Sequence, residues 1–341
     1  MRRVSILMPC RDAAEHIEAA ITSIRGQTFA DFEVVAVDDG STDDTYGHLY
    51  TWAQRDGRVR LIQGHGRGLV AALASALAAA RGELVARMDA DDIAAPTRLE
   101  EQIRLLDEDP HIAACGTGVE YFPAEVVRDG ARRYQAWVNG LVSHDDIVRD
   151  IFVECPIPHP TLMIRRHVLL AVGGYREMGW PEDYDLVLRV WAGGYRMGKV
   201  DETLLRWRES PDRASRTHER YSPEAFLRAK VHFLKRTLLA GGRDAVIMGA
   251  GPVGKTLARA LQGADVRVVA FVEVDPAKIG QEIHGAPVIE LSDLDRYARP
   301  GEQQEDALVI GAVGQEGVRE QIRASLRGRG MVELDDFVVA A

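Results

Sequence analysis

Three carboxylates stand at the end of one apolar run: Val85, Ala86, Arg87 and Met88 lead into Asp89, Ala90, Asp91 and Asp92. Such a run reads as a buried strand, and the C-terminal tip of a strand in an open α/β sheet faces the crevice that takes ligands. Acids held together there repel one another unless positive charge sits among them. A hard divalent cation answers that need, because it takes oxygen ligands and shares them with substrate phosphates. The stretch therefore reads as a metal-diphosphate site, against the plain alternative of a solvated acidic loop. A second acidic tip, Asp38-Asp39, closes another apolar run at residues 32–37 and belongs on the same sheet edge. One tip could read a base or a ribose hydroxyl while the other holds the metal. Between them a loop with Gly64, Gly66 and Gly68 carries Arg67, which could meet a phosphate or simply face water. Further on, Glu182, Asp183 and Asp185 open a helix, where the macrodipole alone already favours acids.

The elements that must hold these groups follow in a regular rhythm. Residues 4–8 read as a short buried strand ended by Pro9. Residues 12–27 read as a helix, with Asp12 as N-cap and Glu15 completing a capping box. Residues 32–37 form a second strand, a helix follows to residue 54, residues 59–63 form a third strand, and the alanine-rich residues 69–81 are helical. Strand and helix alternating in this way make a parallel sheet covered on both faces. Residues 96–107 and 145–151 read as helices, while the rest of 120–150 carries no clear pattern. Residues 204–208 read as a strand, and residues 209–220 are polar, with Arg213, Arg216 and Arg220. Ser222, Pro223 and Glu224 start a helix expected to run to residue 239 and to stop at Gly241-Gly242.

Taken in order, these pieces resemble the family 2 glycosyltransferases, which have the GT-A fold. The resemblance is carried by Val4-Ser5-Ile6-Leu7-Met8-Pro9, Gln27-Thr28-Phe29-Ala30-Asp31-Phe32-Glu33, Val37-Asp38-Asp39-Gly40-Ser41-Thr42-Asp43, Ala80-Arg81-Gly82-Glu83 and Met88-Asp89-Ala90-Asp91-Asp92. A second signature matches at Gly173-Gly174-Tyr175 and Glu182-Asp183-Tyr184-Asp185-Leu186. The likeness implies an α/β fold, with helices on both faces of a mixed sheet. It also implies inverting transfer of a sugar from a nucleotide-diphosphate sugar, most often a UDP sugar, with Mn²⁺ or Mg²⁺. On that resemblance Pro9 and Asp39 line the nucleoside pocket, Asp89 faces the ribose or sugar, Asp91 ligates the metal and Asp183 is the general base, with Glu182 in support. Residues 209–220 become a basic segment that closes on the diphosphate, or are simply a surface loop. His159 orders a loop near the acceptor or acts as a ligand. Two departures bear on nucleotide details. Cys10-Arg11-Asp12 stands where the family often has Thr-Tyr-Asn, and Ser75 or a neighbour stands where it often has Asn. The acceptor implied is a sugar or glycan hydroxyl, which could be lipid-linked, in glycan or cell-surface polysaccharide synthesis.

The last hundred or so residues carry a motif of their own. Gly249, Gly251 and Gly254 lie between a strand at 244–248 and a helix at 255–261, the context that gives G-x-G-x-x-G its meaning. Glu273 and Asp275 follow at the tip of the next strand, about twenty residues on. The helix start could hold a pyrophosphate and the acid a ribose hydroxyl. Residues 308–311 and 315–327 add a strand and a helix. A small Rossmann-like α/β domain at 243–341 is therefore expected, joined by a helical linker at 222–242 to a GT-A domain at 1–221. It resembles the nucleotide-sugar-binding N-terminal domain of bacterial sugar acyltransferases in Phe271-Val272-Glu273-Val274-Asp275-Pro276-Ala277-Lys278-Ile279-Gly280 and in Gly285-Ala286-Pro287-Val288-Ile289. The acyltransferases' left-handed helix repeats have no counterpart here, so no acyl transfer is expected, and no catalytic set for hydride chemistry is evident. Three readings stay open: a structural module that could make a homodimer, a nucleotide or nucleotide-sugar site, and an NAD(P) site.

Composition narrows the partners. The 341 residues are enough for about two domains. A net charge of -10 argues against general affinity for nucleic acid or an anionic membrane surface. Cys10, Cys115 and Cys155 are scattered, without a C-x-x-C pair, which fits a reducing, cytoplasmic setting with no disulfide framework or zinc site. The longest apolar tract, residues 69–80, is about half the length of a membrane span. A lipid-linked acceptor would then require peripheral contact at the inner membrane face. Two classes of function remain: an inverting transferase, or a sugar-nucleotide-binding regulator that keeps the fold without catalysis. A nucleotidyltransferase would need a glycine-rich phosphate loop after the first strand, where Pro9-Cys10-Arg11-Asp12 stands instead.

Overall fold

The seven residues of β1 (Val4–Cys10) are all buried. β1 lies between two parallel neighbours, the burial that continuous apolar runs in parallel sheets require. The computed structural model describes residues 2–210, 213–299, 307–315 and 317–341. Residues 211 and 212 of the expected basic segment, and residue 316 of the expected helix at 315–327, lie outside them. Two compact units emerge. One comprises Met1–Ile147, Pro156–Met178 and Glu182–Thr217, and the other Val148–Cys155, Gly179–Pro181 and His218–Ala341.

In the first unit the chain continues as α1 (Ile17–Arg25), β2 (Phe32–Asp38), α2 (Thr45–Arg55), β3 (Val59–Gln63), α3 (Leu69–Ala79) and β4 (Leu84–Arg87). It then runs through β5 (Ile93–Ala94), α4 (Arg98–Glu108), β6 (Ile112–Phe122), α5 (Asp129–Asn139), α6 (His144–Arg149), β7 (Met163–Arg165), α7 (Arg166–Ala171), α8 (Glu182–Ala192), β8 (Arg196–Arg208) and α9 (Ala214–Thr217). The sheet order is β3-β2-β1-β4-β7-β6-β8-β5. The first four strands are parallel, as their rhythm implies, but β7 runs antiparallel to β4 and to β6, and β5 antiparallel to β8. The sheet is thus mixed, as the family resemblance implies.

Three local expectations are corrected. β1 does not end at Pro9: its ladder to β2 continues through Pro9↔Val37 and Cys10↔Asp38. Pairing with β4 stops at Leu7, so the proline's missing N–H falls on the side where β4 has already ended. The capping box at Asp12 does not form, because α1 begins at Ile17. Asp12 takes a left-handed backbone (φ 48°), and its carboxylate accepts from the Thr42 N–H at 2.7 Å and hydroxyl at 3.0 Å. Asp tolerates that conformation, and a bond across to the next loop competes with a cap. Finally, β6 has no period-2 signal and β8 is much longer than residues 204–208. A Cβ at Gly116 would sit 2.8 Å from Ile157, and one at Gly118 would sit 3.0 Å from the Glu202 carbonyl. Close packing thus selects glycine there and erases the alternation that marks a strand.

A buried polar knot fixes where β4 begins. The Ser5 hydroxyl donates to Glu33 at 2.7 Å and accepts from the Arg81 and Gly82 N–H groups at 3.1 and 2.8 Å. The Arg81 N–H also reaches Glu33 at 2.7 Å. Core side chains from β1, α1, β2 and β4 pack on either side of this knot, among them Ile6, Ile24, Phe32 and Ala86.

The second unit holds α10 (Pro223–Arg236), β9 (Ala245–Met248), α11 (Pro252–Gln262), β10 (Val268–Val272), β11 (Glu282–Ile283), β12 (Ala286–Ile289), β13 (Leu308–Gly311), α12 (Val318–Arg327) and β14 (Phe337–Val339). Ser222 caps α10 through the Ala225 N–H at 3.2 Å, as its sequence implies. The sheet order is β11-β12-β10-β9-β13-β14, parallel throughout except for the β11–β12 hairpin. Strand, glycine turn and helix follow one another at β9–α11, the local arrangement that the G-x-G-x-x-G motif implies. Arg323 on α12 is fully buried and ion-paired to Asp150, Glu320 and Glu333.

The knot at Ser5 gives a stability test. A Cβ on Gly82 would lie 2.6 Å from the Ser5 nitrogen and 2.7 Å from the Val4 carbonyl carbon, both main-chain atoms that cannot move aside cheaply. Gly82→Ala should cost about 1–3 kcal/mol, read as a lowered midpoint in denaturant unfolding.

Candidate functional site

The chain leaves β4 at Arg87 and places Asp89, Asp91 and Asp92 so that one carboxylate oxygen from each lies within 4.8 Å of the others. They are not equivalent. Asp92 is buried, accepts from the Arg208 N–H at 2.7 Å through Oδ1, and has a buried Oδ2 with no partner among the described residues. Asp91 is half-buried, and Arg208 Nε donates to its main-chain carbonyl at 2.9 Å. Asp89 is paired to the buried Arg87 at 2.5 Å. Burial first, then mutual repulsion, pushes Asp91 above the usual carboxylate range, and Asp92 well above it. A buried oxygen without a donor, beside two more carboxylates, fits a hard divalent cation such as Mn²⁺ or Mg²⁺.

The other sheet-edge acids lie at the end of β2. Asp38 is buried with Oδ1 unpartnered among the described residues. Asp39 is buried too, but its carboxylate accepts from the Arg67 N–H at 3.1 Å and the Gly68 N–H at 2.6 Å. It therefore holds the glycine loop, and the loop comes close: a Cβ on Gly64 would sit 2.8 Å from Asp39 Oδ1. Pro9 is buried beside them on β1, and the Arg67 side chain is exposed.

The third group opens α8. Glu182 is buried and Asp183 is half-buried. Burial first, then the neighbouring Glu182 charge, pushes the Asp183 carboxyl up to about 6, while His159 and the Tyr184 N–H at 2.7 Å pull it down. His159 is buried between Glu182, 3.5 Å from Nδ1, and the Tyr175 hydroxyl, 3.4 Å from Nε2. The charges of Arg87, Glu182, Asp183 and Asp89 all act on that tyrosine, whose pKa burial raises. Tyr175 and Arg87 thus link the first group of acids to the third.

The basic segment contributes from the far side. Arg213 stacks over Trp207 at 4.2 Å and Tyr121 at 5.5 Å, is ion-paired to Glu209 at 3.4 Å, and its charge acts on Asp91 and Asp92. Arg216 also pairs with Glu209, at 2.5 Å. Arg220 belongs to the second unit.

In the second unit the Gly249-Ala250-Gly251 turn leads into α11. A Cβ on Gly254 would fall 1.9 Å from the Gly249 carbonyl oxygen, so helix and strand can meet only through glycine. Gly251 has open space on its Cβ side. A cleft of about 640 Å³ lies against Gly249, Gly251, Glu273, Lys278 and Gly314. Glu273 accepts from the Ala250 N–H at 3.1 Å and the Val274 N–H at 2.9 Å, and pairs with Lys278 at 3.1 Å.

Comparison with known proteins is decisive for the first unit. Residues 5–173 match the family profile described as Glycosyl transferase family 2. A Bacillus subtilis protein named as a glycosyltransferase, EpsE, is 32% identical over 225 residues, covering 64% of this chain and 78% of its own. The chain belongs to glycosyl transferase family 2. Four curated relatives are matched over 65% to 79% of their own lengths. Among solved structures, S. aureus TarS 1-349 in complex with UDP-GlcNAc superposes with a TM-score of 0.56 at 17% identity, covering 76% of this chain and 70% of TarS. The mannosyltransferase PcManGT from Pyrobaculum calidifontis, in complex with GDP-Man and Mn²⁺, gives 0.53 at 21%, covering 78% and 74%. At these identities the two structures show the fold, which is GT-A.

In this family 2 glycosyltransferase, sequence reading singled out Asp89, Asp91 and Asp92 together, and Glu182 with Asp183. It gave no role to Arg87, Tyr175 or Arg208. The signal for Arg87 was present: a charged residue inside a four-residue strand that is buried throughout. The elevated carboxyls of the transferase also predict a pH effect. Burial and mutual repulsion hold Asp91 and Asp92 above the ordinary carboxylate range, so a cation bound there would compete with protons. Mn²⁺ affinity should rise with pH, and calorimetry in buffers of different ionisation enthalpy should show proton release that shrinks as pH rises.

Proposed function

We propose that this glycosyltransferase moves a sugar from a UDP sugar to an acceptor hydroxyl with inversion, in the assembly of a glycan or cell-surface polysaccharide. The observation that supports this reading is a pair of acidic stations in the first unit: the Asp89-Asp91-Asp92 cluster, with a buried Asp92 oxygen unpartnered among the described residues, and Asp183 next to Glu182, which meets His159 at 3.5 Å. A donor diphosphate and an acceptor hydroxyl both need a station in one crevice, and these are two stations.

Asp183 takes the proton of the acceptor hydroxyl as that oxygen attacks the anomeric carbon. The new C–O bond forms as the bond to the diphosphate breaks, and the electron pair leaves with the nucleotide. Glu182 and His159 hold Asp183 at a basicity suited to that task, while a half-buried position keeps it open to an acceptor. Asp91 and Asp92 would hold Mn²⁺ or Mg²⁺, which neutralises charge on the departing diphosphate when bound. Arg213 adds fixed positive charge near the same place. Asp39 shapes the nucleoside loop, with Pro9 and Asp38 beside it, and exposed Arg67 is free to meet a phosphate. Asp89 is left for a hydroxyl of the ribose or sugar. The acceptor could be lipid-linked; among the described residues no helix is long and apolar enough to cross a membrane. The cleft beside Gly249, Gly251, Gly254 and Glu273 is a second binding place in this proposal, for a nucleotide or NAD(P). Its volume and the open face of Gly251 support that reading.

Three outcomes test this. Asp183→Asn should lower kcat by about 10²-fold or more and leave nucleotide affinity intact; normal turnover would remove Asp183 as base. Because the base must be unprotonated and its carboxyl stands at about 6, kcat/KM should climb with pH through about 6 and then level. In the C-terminal cleft, Gly251→Leu fills open space without strain, so it should abolish any thermal shift given by NAD(H) or UDP sugars there while sparing transfer.

A further inference from the structure

Arg87 ends a strand that is buried throughout, and it is itself fully buried. Its guanidinium donates to the Met88 carbonyl and to Asp89 Oδ1, the latter at 2.5 Å. Its main chain is fixed on both sides. The N–H donates to the Leu162 carbonyl at 2.8 Å, and the carbonyl accepts from Arg98 Nη2 at 2.6 Å. A guanidinium so enclosed cannot swing out to water, so the carboxylate bonded to it is held as well. Asp91 and Asp92 have no such tether. Arg208 reaches Asp91 only at its main-chain carbonyl, and Asp92 spends one oxygen on a main-chain N–H and keeps Oδ2 without a partner among the described residues. Asp89 nevertheless remains 30% exposed, enough for its second oxygen to accept a hydrogen bond.

We propose that Arg87 is a positioning residue: it holds Asp89 by one oxygen and neutralises its charge, so that Asp91 and Asp92 ligate the metal and the other oxygen of Asp89 is left for a donor hydroxyl. The inference rests on the metal-dependent transferase reading given above. An oxygen of Asp89 lies within 4.8 Å of oxygens of Asp91 and Asp92, and the buried positive charge of Arg87 is what keeps that carboxylate from serving the cation as a full ligand. The same charge lowers the net attraction of the site for cations, which would otherwise bind too firmly in the absence of donor.

The test is direct titration of the full chain with Mn²⁺ and no donor, followed by calorimetry or by the spectrum of free Mn²⁺. Asp91→Asn should weaken Mn²⁺ about tenfold or more, and Asp89→Asn by no more than about twofold. Arg87→Met frees Asp89 and removes a positive charge, so Mn²⁺ should bind about threefold tighter or more, while kcat falls about tenfold. Adding Asp89→Asn to that variant should cancel the gain. Arg87→Lys keeps the charge and should return Mn²⁺ affinity to that of the parent. A purely structural role predicts the opposite sign, weaker Mn²⁺ binding in Arg87→Met. Equal losses in Asp89→Asn and Asp91→Asn overturn the proposal, even where Arg87→Met fails to fold. A parent protein that binds no Mn²⁺ at all would instead remove the metal reading on which the tether rests.

Discussion

Repulsion among carboxylates gathered at one sheet edge is the constraint that the first unit is built to satisfy. Asp38, Asp39, Asp92 and Glu182 are all buried, and Asp89, Asp91 and Asp183 stand half-buried beside them. Each is met differently. Main-chain amides of a glycine loop take Asp39, a fixed arginine takes Asp89, and a strand amide from β8 takes one oxygen of Asp92. Arg98 lies buried beneath, bonded to the Arg87 carbonyl and held by the field of Asp92 and Asp89. Burying charge without such partners costs several kcal/mol per ion. The oxygens left over, on Asp38 and Asp92, are where a ligand has something to gain.

How much of this could be read from residues alone depended on whether the signal was local. Acids after an apolar run announce a strand tip, and their spacing alone brought Asp89, Asp91 and Asp92 to notice. The strand-helix rhythm of β1 to β4 survives in the structure because each element satisfies its own periodicity. What failed to show was set by contacts distant in sequence. Gly116 and Gly118 are dictated by Ile157 and Glu202, so β6 has no alternation to display. Asp12 looks like a cap until Thr42, thirty positions away, claims its carboxylate. The main-chain bond to Leu162 that helps fix Arg87 beside Asp89 comes from a residue seventy-five positions away.

The glycine turn of the second unit illustrates the reverse case. Gly254 is demanded by the Gly249 carbonyl five residues earlier, a local contact, so the motif predicted the turn. Glu273 was legible as an acid at the next strand tip, but its bonds to Ala250, Val274 and Lys278 were not. A carboxylate already served by three amides and an ammonium has less to offer a ribose than its position suggests.

The buried Arg323 has a consequence for how this chain comes into being on the ribosome. Its carboxylate partners are Glu320 and Glu333 nearby and Asp150, which lies 173 positions earlier and belongs to the same compact unit. Asp150 is synthesised well before the Arg323 guanidinium, next to Arg149, whose Nε lies 3.5 Å from it in the folded chain. The second unit therefore draws on three separate stretches of the chain. It closes on a strip of earlier chain, Val148–Cys155, and its Asp150–Arg323 pair can form only once residue 323 has been made.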